Sequence, residues 1–227
     1  MNIIVIIPAY NEEAAIGKVI EEIPKQWVRE IVVVDNRSTD QTALRAAEAG
    51  ATVVHEPLPA YGRACLRGMA YVQSLSVPPD IVVFVDGDHS DYPEQLPELV
   101  KPILEENYDM VIGSRAPGNR ERGSMTPQQV FGNRLATFLM RLIYGVRYTD
   151  LGPFRAIKWD KLVAMDMQDT TYGWTVEMQL KAAKQRMKTT EVPVKYRKRI
   201  GFSKISGTLK GVVLAGYKII TTIFKYW

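Results

Sequence analysis

Apolar residues arrive in short solid runs through the first half of the chain. Ile3 to Ile7 contains no polar residue and stops at Pro8, which is the pattern of a parallel strand buried on both faces. Glu30–Val34, Thr52–Val54, Ile81–Val85 and Met110–Ile112 repeat it. Helical stretches lie between the runs. Asn11 can cap a helix reaching about Ile23, where Pro24 stops it, and Ser38 or Asp40 can cap another over 43–49, closed by Gly50. Residues 62–75 form a third, and a fourth follows Pro93. This alternation predicts an α/β domain with a mostly parallel central sheet and helices on both faces. Ligands of such sheets sit at the carboxyl ends of the strands. The polar segments fall there: PAYNEE after the first strand, DNRSTD after the second, DGDHSD after the fourth. Three polar loops are therefore expected to converge on one crevice.

The second half has a different texture. Residues 115–129 read as a long polar loop, and long loops are often functional. A helix over 130–143 carries Val130, Phe131, Leu135, Phe138, Leu139, Leu142 and Ile143, and a second spans 172–187. Residues 190–199 are strand-like. The tail, 208–227, is amphipathic; Lys210, Lys218 and Lys225 are eight and seven apart and share one helical face. A membrane span needs about 20 consecutive, mostly apolar residues, so the tail is expected to lie on a surface.

Composition narrows the class. With 227 residues, 46% hydrophobic and 24% charged, the chain suits one sizeable ordered domain. A net charge of +4 fits an anionic small ligand or an anionic membrane surface, and no nucleic-acid module accompanies it. Cys65 is the single cysteine, so no internal disulfide forms and a reducing compartment is expected. It reads as a small helix residue. MNIIVIIPAYNEE reads as a core strand and not as a signal peptide.

The acidic strand end is the first candidate for chemistry. Asp86 and Asp88 flank Gly87, so the chain can turn and aim two carboxylates at one point. Two hard oxygen ligands suit Mg²⁺ or Mn²⁺, ions that complete their shells with phosphate oxygens. His89 reads as a bystander, and Asp91 and Pro93 as part of the turn into the next helix. Asp35, ending the second strand, is placed to accept from a base N–H or a ribose hydroxyl. In VPVKYRKRIGFSKISG, strand alternation puts Lys195, Arg197 and Arg199 on one side. Such a face suits a diphosphate.

PAYNEE, VVVDNRSTDQT, VFVDGDHSDYPE and VIGSR, in this order and spacing, resemble the family 2 glycosyltransferases of GT-A fold. The resemblance spans essentially the whole chain. The Phe/Leu/Met-rich helix, the run Asp150 to Arg155 and YRKRIGFSKISG resemble most the polyprenyl-phosphate sugar synthases of the dolichyl-phosphate mannose synthase type. The resemblance implies one GT-A domain over 1–227, with 1–115 binding the nucleotide-sugar and 116–227, including the amphipathic helices, binding the acceptor. It implies a UDP- or GDP-hexose donor and a divalent metal on the diphosphate. Pro8, Tyr10 and Glu12 would line the nucleotide pocket, with Asp35 on base or ribose. Asp86 and Asp88 would serve the ribose and metal, and Ser90 would stand near the third ligand position. Arg115 and Arg134 would face donor or acceptor phosphates, and Arg199, Ser203 and Lys204 would bind phosphates. Three positions depart from the family pattern. Asp35-Asn36-Arg37-Ser38 replaces D-D-G-S, Tyr61-Gly62-Arg63-Ala64 stands where relatives carry Gly-Lys-Gly, and Ser90 replaces a glutamine.

The acceptor stays open at this level. A sugar hydroxyl needs a general base, for which Asp150 and Glu177 are the candidates; a lipid phosphate is already an anion. The leading expectation is an inverting, metal-dependent transfer of a hexose to a polyprenyl phosphate, with Asp88, Arg115 and Asp150 in the catalytic roles. Peripheral association with the cytoplasmic face of a membrane follows from the amphipathic helices, and a membrane-spanning partner subunit is compatible with it. The rivals are a family 2 enzyme with a saccharide or other soluble hydroxyl acceptor, and a non-catalytic nucleotide-sugar-binding protein. A nucleotidyltransferase would show a Gly-rich loop after the first strand, which PAYNEE is not.

Overall fold

The computed structural model describes residues 2–201 and 209–227. One seven-stranded sheet runs through the molecule in the order β3-β2-β1-β4-β6-β5-β7. The strands are β1 (Ile3–Ala9), β2 (Glu30–Asp35), β3 (Thr52–His55), β4 (Ile81–Phe84), β5 (Met110–Ser114), β6 (Arg155–Lys158) and β7 (Thr189–Pro193). Of these, only β6 runs against its neighbours, between β4 and β5. Register brings strand ends together: Ala9 pairs with Asp35 across β1–β2, and Ile6 with Phe84 across β1–β4. The three polar loops of the sequence therefore leave the sheet side by side. This is the α/β, GT-A-like architecture expected.

Both sheet faces are covered, as the solid apolar runs require. On one face Ile3, Val5, Ile7, Val33 and Val83 pack against α1 (Ile16–Glu22), α2 (Thr42–Glu48) and α4 (Leu96–Glu105). On the other, Ile4, Ile6, Val32, Val34, Val82 and Phe84 meet α3 (Tyr61–Gln73), α5 (Pro127–Tyr144), α7 (Trp174–Lys184) and α8 (Leu209–Lys225). A short α6 (Trp159–Ala164) follows β6. Helix α5 begins three residues before its expected start. Thr126 and Gln129 form a reciprocal capping box, with Pro127 just inside.

Helix α8 packs through Ile219 and Ile223, with Tyr226 directly after it, and is also pinned by polar contacts. The Tyr144 hydroxyl donates to the Ile223 carbonyl at 2.5 Å, Tyr226 Oη donates to Glu177 Oε1 at 2.5 Å, and Lys218 Nζ lies 2.9 Å from Asp169 Oδ2. Among the described residues no helix is long and apolar enough to cross a membrane.

Two local expectations are corrected. Asn11 does not cap α1: it sits at φ 52 and accepts from the Thr39 amide, and the helix starts at Ile16. The last strand ends at Pro193, not 199. Beyond it Tyr196 makes isolated bridges to Asp91 and Arg120. The loop after β2 puts Arg37 in the left-handed region, at φ 64, where D-D-G-S would supply glycine. A side chain is disfavoured there. Arg37→Gly is therefore expected to stabilise the fold by about 0.5–1 kcal/mol, after the larger chain entropy of glycine is deducted. A thermal melt checks this, with a midpoint rise of about 2–4 °C per kcal/mol at this chain length.

Candidate active site

A cavity of about 770 Å³ opens over the carboxyl ends of β1, β2 and β4. Pro8 enters it from the end of β1, Tyr10 and Glu12 after β1, Asn36 after β2, and Asp86, Gly87 and Asp88 after β4. Tyr61 reaches it from the start of α3, Arg115 from the end of β5, and Tyr196 and Arg199 from the segment after β7. Its far side is a slot between α5 and α8, walled by Gly132 and Asn133 on one and by Ala215, Gly216 and Ile219 on the other.

Asp86 and Asp88 crowd each other. Burial first, and then the charge of Asp88, push Asp86 up to about 7, against the opposing pull of Arg199, the Tyr61 hydrogen bond and Arg115. The Tyr61 hydroxyl donates to Asp86 Oδ1 at 3.1 Å. Asp88 Oδ2 faces Arg199 Nη1 at 2.7 Å, and its Oδ1 accepts from the amide and hydroxyl of Ser90 at 2.9 and 2.5 Å. Two carboxylates forced together at a cavity wall are a donor set that fits a hard divalent cation. Among the described residues no third acidic, histidine or cysteine side chain completes a metal cage.

Arg115 and Asp150 form the second cluster. Asp150 Oδ2 accepts from the Arg115 amide and Nε at 2.7 and 2.8 Å, and Oδ1 accepts from Nη2 at 2.7 Å. Burial acts to raise the Asp150 carboxyl, but the Arg115 charge and hydrogen bonds outweigh it and hold it below its ordinary value. The guanidinium also lies over the Tyr196 ring, 5.0 Å from its centroid. Asp150 thus stands behind Arg115, fixing its direction, and its oxygens are engaged there and not in the cavity.

Several sequence expectations land elsewhere. Asp35 is outside the cavity lining; it accepts from the Ser38 amide at 3.2 Å and lies 3.2 Å from His55 Nδ1. Ser90 is buried and braces Asp88, so its hydroxyl does not face the cavity. Arg134 is on the exposed face of α5, outside the lining. Lys195 and Arg197 do not share a face with Arg199: they lie by the Tyr92 ring, and Arg197 also bonds Glu22 and the His89 carbonyl. Glu177 is buried away from the cavity, accepting from the amides of Gln168 and Asp169 at 2.9 and 2.6 Å. Ser203 and Lys204 lie outside the described residues. His89 is a bystander as read, with Nε2 2.8 Å from Glu22 Oε1.

Asp91 is no turn residue. It is 1% exposed, and neither carboxylate oxygen has a hydrogen-bond partner among the described residues. Burial first, then Asp86, raise its carboxyl well above the ordinary range, against the opposing pull of Arg115. Residues to which the sequence gave no site role include Tyr61 and Asn36, noted only as departures from the family pattern, Tyr196, and the fully buried Arg155. Arg155 donates to the carbonyls of Leu151, Gly152 and Thr175, joining the Asp150 loop to α7. Its one signal was position, in the Asp150–Arg155 run.

The profile of "Glycosyl transferase family 2" matches residues 4–204, so the chain belongs to this family. It is 31% identical to the undecaprenyl-phosphate mannosyltransferase of Micrococcus luteus, over 93% of this chain and 90% of that one. It is 33% identical to an uncharacterized glycosyltransferase of Mycobacterium tuberculosis, over 93% of each. Among solved structures, glucosyl-3-phosphoglycerate synthase of Mycobacterium tuberculosis superposes with a TM-score of 0.78 at 25% identity, covering 99% of this chain and 78% of that one. That crystal holds Mn²⁺, UDP and phosphoglyceric acid.

Proposed function

We propose that the protein moves a hexose, with inversion at C1, from a nucleoside-diphosphate sugar to a polyprenyl phosphate at a membrane surface. One observation carries this reading. The cavity that holds Asp86, Asp88, Arg115 and Arg199 continues into the α5–α8 slot, and the outer faces of those helices are bare and apolar. Phe131, Phe138 and Leu142 on α5 are 70%, 61% and 70% exposed, and Val213, Tyr217 and Phe224 on α8 are exposed as well. A patch of this kind suits a bilayer interface, and a lipid phosphate reaching the site from the bilayer would pass it. The Micrococcus relative, named for undecaprenyl phosphate, supports the same acceptor.

A phosphate oxygen of the acceptor attacks C1 of the sugar. The bond from C1 to the diphosphate oxygen breaks, and its electron pair leaves with the nucleoside diphosphate. The attacking oxygen is already anionic, so no proton has to be removed. Arg115, aimed by Asp150, and Arg199, beside Asp88, supply positive charge for two phosphate groups in one cavity. Pro8, Tyr10 and Glu12 would flank the nucleotide. Asp86 and Asp88 would hold Mg²⁺ or Mn²⁺, which when bound neutralises charge on the leaving diphosphate.

A second reading has support in the synthase neighbours crystallised with phosphoglyceric acid: a soluble hydroxyl acceptor. It needs a base, and both oxygens of Asp150 are engaged with Arg115. The deciding experiment offers labelled UDP- and GDP-hexoses, Mg²⁺ or Mn²⁺, and either a short polyprenyl phosphate or phosphoglycerate. Label is expected in the organic phase with the lipid; label confined to an aqueous product would overturn the lipid reading. The triple change Phe131→Ser, Phe138→Ser, Leu142→Ser is expected to weaken co-sedimentation with anionic vesicles by about tenfold or more. Nucleotide binding should persist in that variant.

A further inference from the structure

We infer that Asn36 is a positioning residue for the nucleoside end of the site, acting by clamping the segment 56–60 across it. The inference rests on the donor reading above and concerns one side chain that the sequence flagged only as a departure from D-D-G-S. Asn36 is buried directly after β2, and its amide N–H is fixed to the Ala9 carbonyl at 2.8 Å. Its side chain then makes three hydrogen bonds to one piece of chain. Nδ2 donates to the Leu58 carbonyl at 2.7 Å and, more weakly, to the Glu56 carbonyl at 3.4 Å, while Oδ1 accepts from the Ala60 amide at 2.8 Å.

The segment needs that clamp. Glu56-Pro57-Leu58-Pro59-Ala60 forms neither helix nor strand, and two of its five residues have no N–H. The Glu56 amide goes to the Asp35 carbonyl and the Leu58 amide to Glu56 Oε1, so the first is tied to β2 and the second only to its own segment. Asn36 supplies the bonds between the middle of the segment and the sheet. Pro59 and Ala60 form part of the cavity wall together with Pro8 and Tyr10, and Tyr61, which bonds Asp86, follows directly in the chain. Fixing Ala60 therefore fixes both the wall and the start of α3.

The chemistry demands an amide. Aspartate could still accept from Ala60, but it has no N–H for Leu58 and Glu56 and would turn a carboxylate toward two carbonyl oxygens. The donor then meets an unfixed wall and must order it on binding, which costs affinity.

The test is titration calorimetry of Asn36→Asp with UDP and with GDP, together with steady-state kinetics and a thermal melt. The nucleotide that the wild type prefers is expected to bind about tenfold more weakly or worse. Donor KM should rise in parallel, while kcat at saturating donor and the acceptor KM stay within about twofold. Unchanged nucleotide affinity would overturn the inference, as would parallel losses in kcat and acceptor KM. Should Asn36→Asp fail to fold, Pro57→Gly/Pro59→Gly loosens the same segment with Asn36 intact and is expected to lose donor affinity alone. Wild-type affinity in that double variant would overturn the inference. A wild-type protein that binds neither nucleotide would overturn the donor reading itself, and this inference with it.

Discussion

Asp88→Asn is expected to reduce sugar transfer by about 10³-fold or more, with the fold retained. The substitution removes a charge and almost no volume. The new amide keeps an oxygen for the Ser90 backbone N–H and hydroxyl, the two bonds that anchor the side chain. The charge, by contrast, has two dependents. One is Arg199, 2.7 Å from Asp88 Oδ2 and 27% exposed at its side chain. The other is the divalent cation that the crowded pair with Asp86 fits. Mn²⁺ binding in the presence of UDP, followed by calorimetry, should weaken in step with activity. A variant with wild-type turnover would remove Asp88 from the site, whatever the fate of the metal.

Much of this geometry was legible in the chain, and the reasons differ by element. Ile3–Ile7, Ile31–Val34 and Ile81–Phe84 are strand segments covered on both sides, and that burial calls for continuous apolar runs. Once three such strands are parallel and adjacent, the loops after them must converge, so Asp86, Asp88, Tyr10 and Glu12 could be placed together without coordinates. Strand β6 was invisible for the opposite reason. It has four residues, RAIK, two of them charged, and it enters the sheet antiparallel through tertiary pairing with β4 and β5. Its first residue buries a guanidinium on carbonyl oxygens, a solution that depends on where Leu151, Gly152 and Thr175 happen to lie.

The stretch after Val194 misled for a related reason. Alternation in VPVKYRKR reads as a strand, yet the ladder with β5 stops at Pro193, and each cation then finds its own partner: Tyr92 for Lys195, Glu22 for Arg197, Asp88 for Arg199. Period-2 spacing fixes sides only where the backbone is truly extended and paired. Asp91 shows the same limit for a carboxylate. Its sequence neighbours, Asp88 and Pro93, argue for a solvated turn, whereas the bridge to Tyr196 closes over it. No local pattern announces a contact more than a hundred residues away.

The Arg115–Asp150 pair carries the other large expected effect. Asp150→Ala leaves a guanidinium that is 11% exposed in the pair without its bidentate partner, and breaking a buried pair from one side costs about 3–5 kcal/mol. A lower melting temperature and loss of most activity are both expected, so that variant alone does not separate structure from chemistry. Asp150→Asn does. It can still accept one bond from Arg115, so the loss in stability should be smaller. If Asp150 only aims Arg115, kcat/KM for a phosphate acceptor falls by about 10–100-fold and the pH–rate profile keeps its shape. If Asp150 is a general base, the loss reaches about 10²–10⁴-fold and the limb of the profile that rises with pH disappears. The replacement of both partners, Arg115→Met/Asp150→Leu, adds a third discrimination. Stability should return toward wild type, because neither charge is then buried alone, while transfer is expected to stay absent because the cavity keeps Arg199 but loses the Arg115 cation. Recovery of transfer in that double variant would show that the pair serves the fold alone. The bidentate geometry of Arg115 on Asp150 argues for the first outcome, in which the carboxylate is spent on direction and the guanidinium on phosphate.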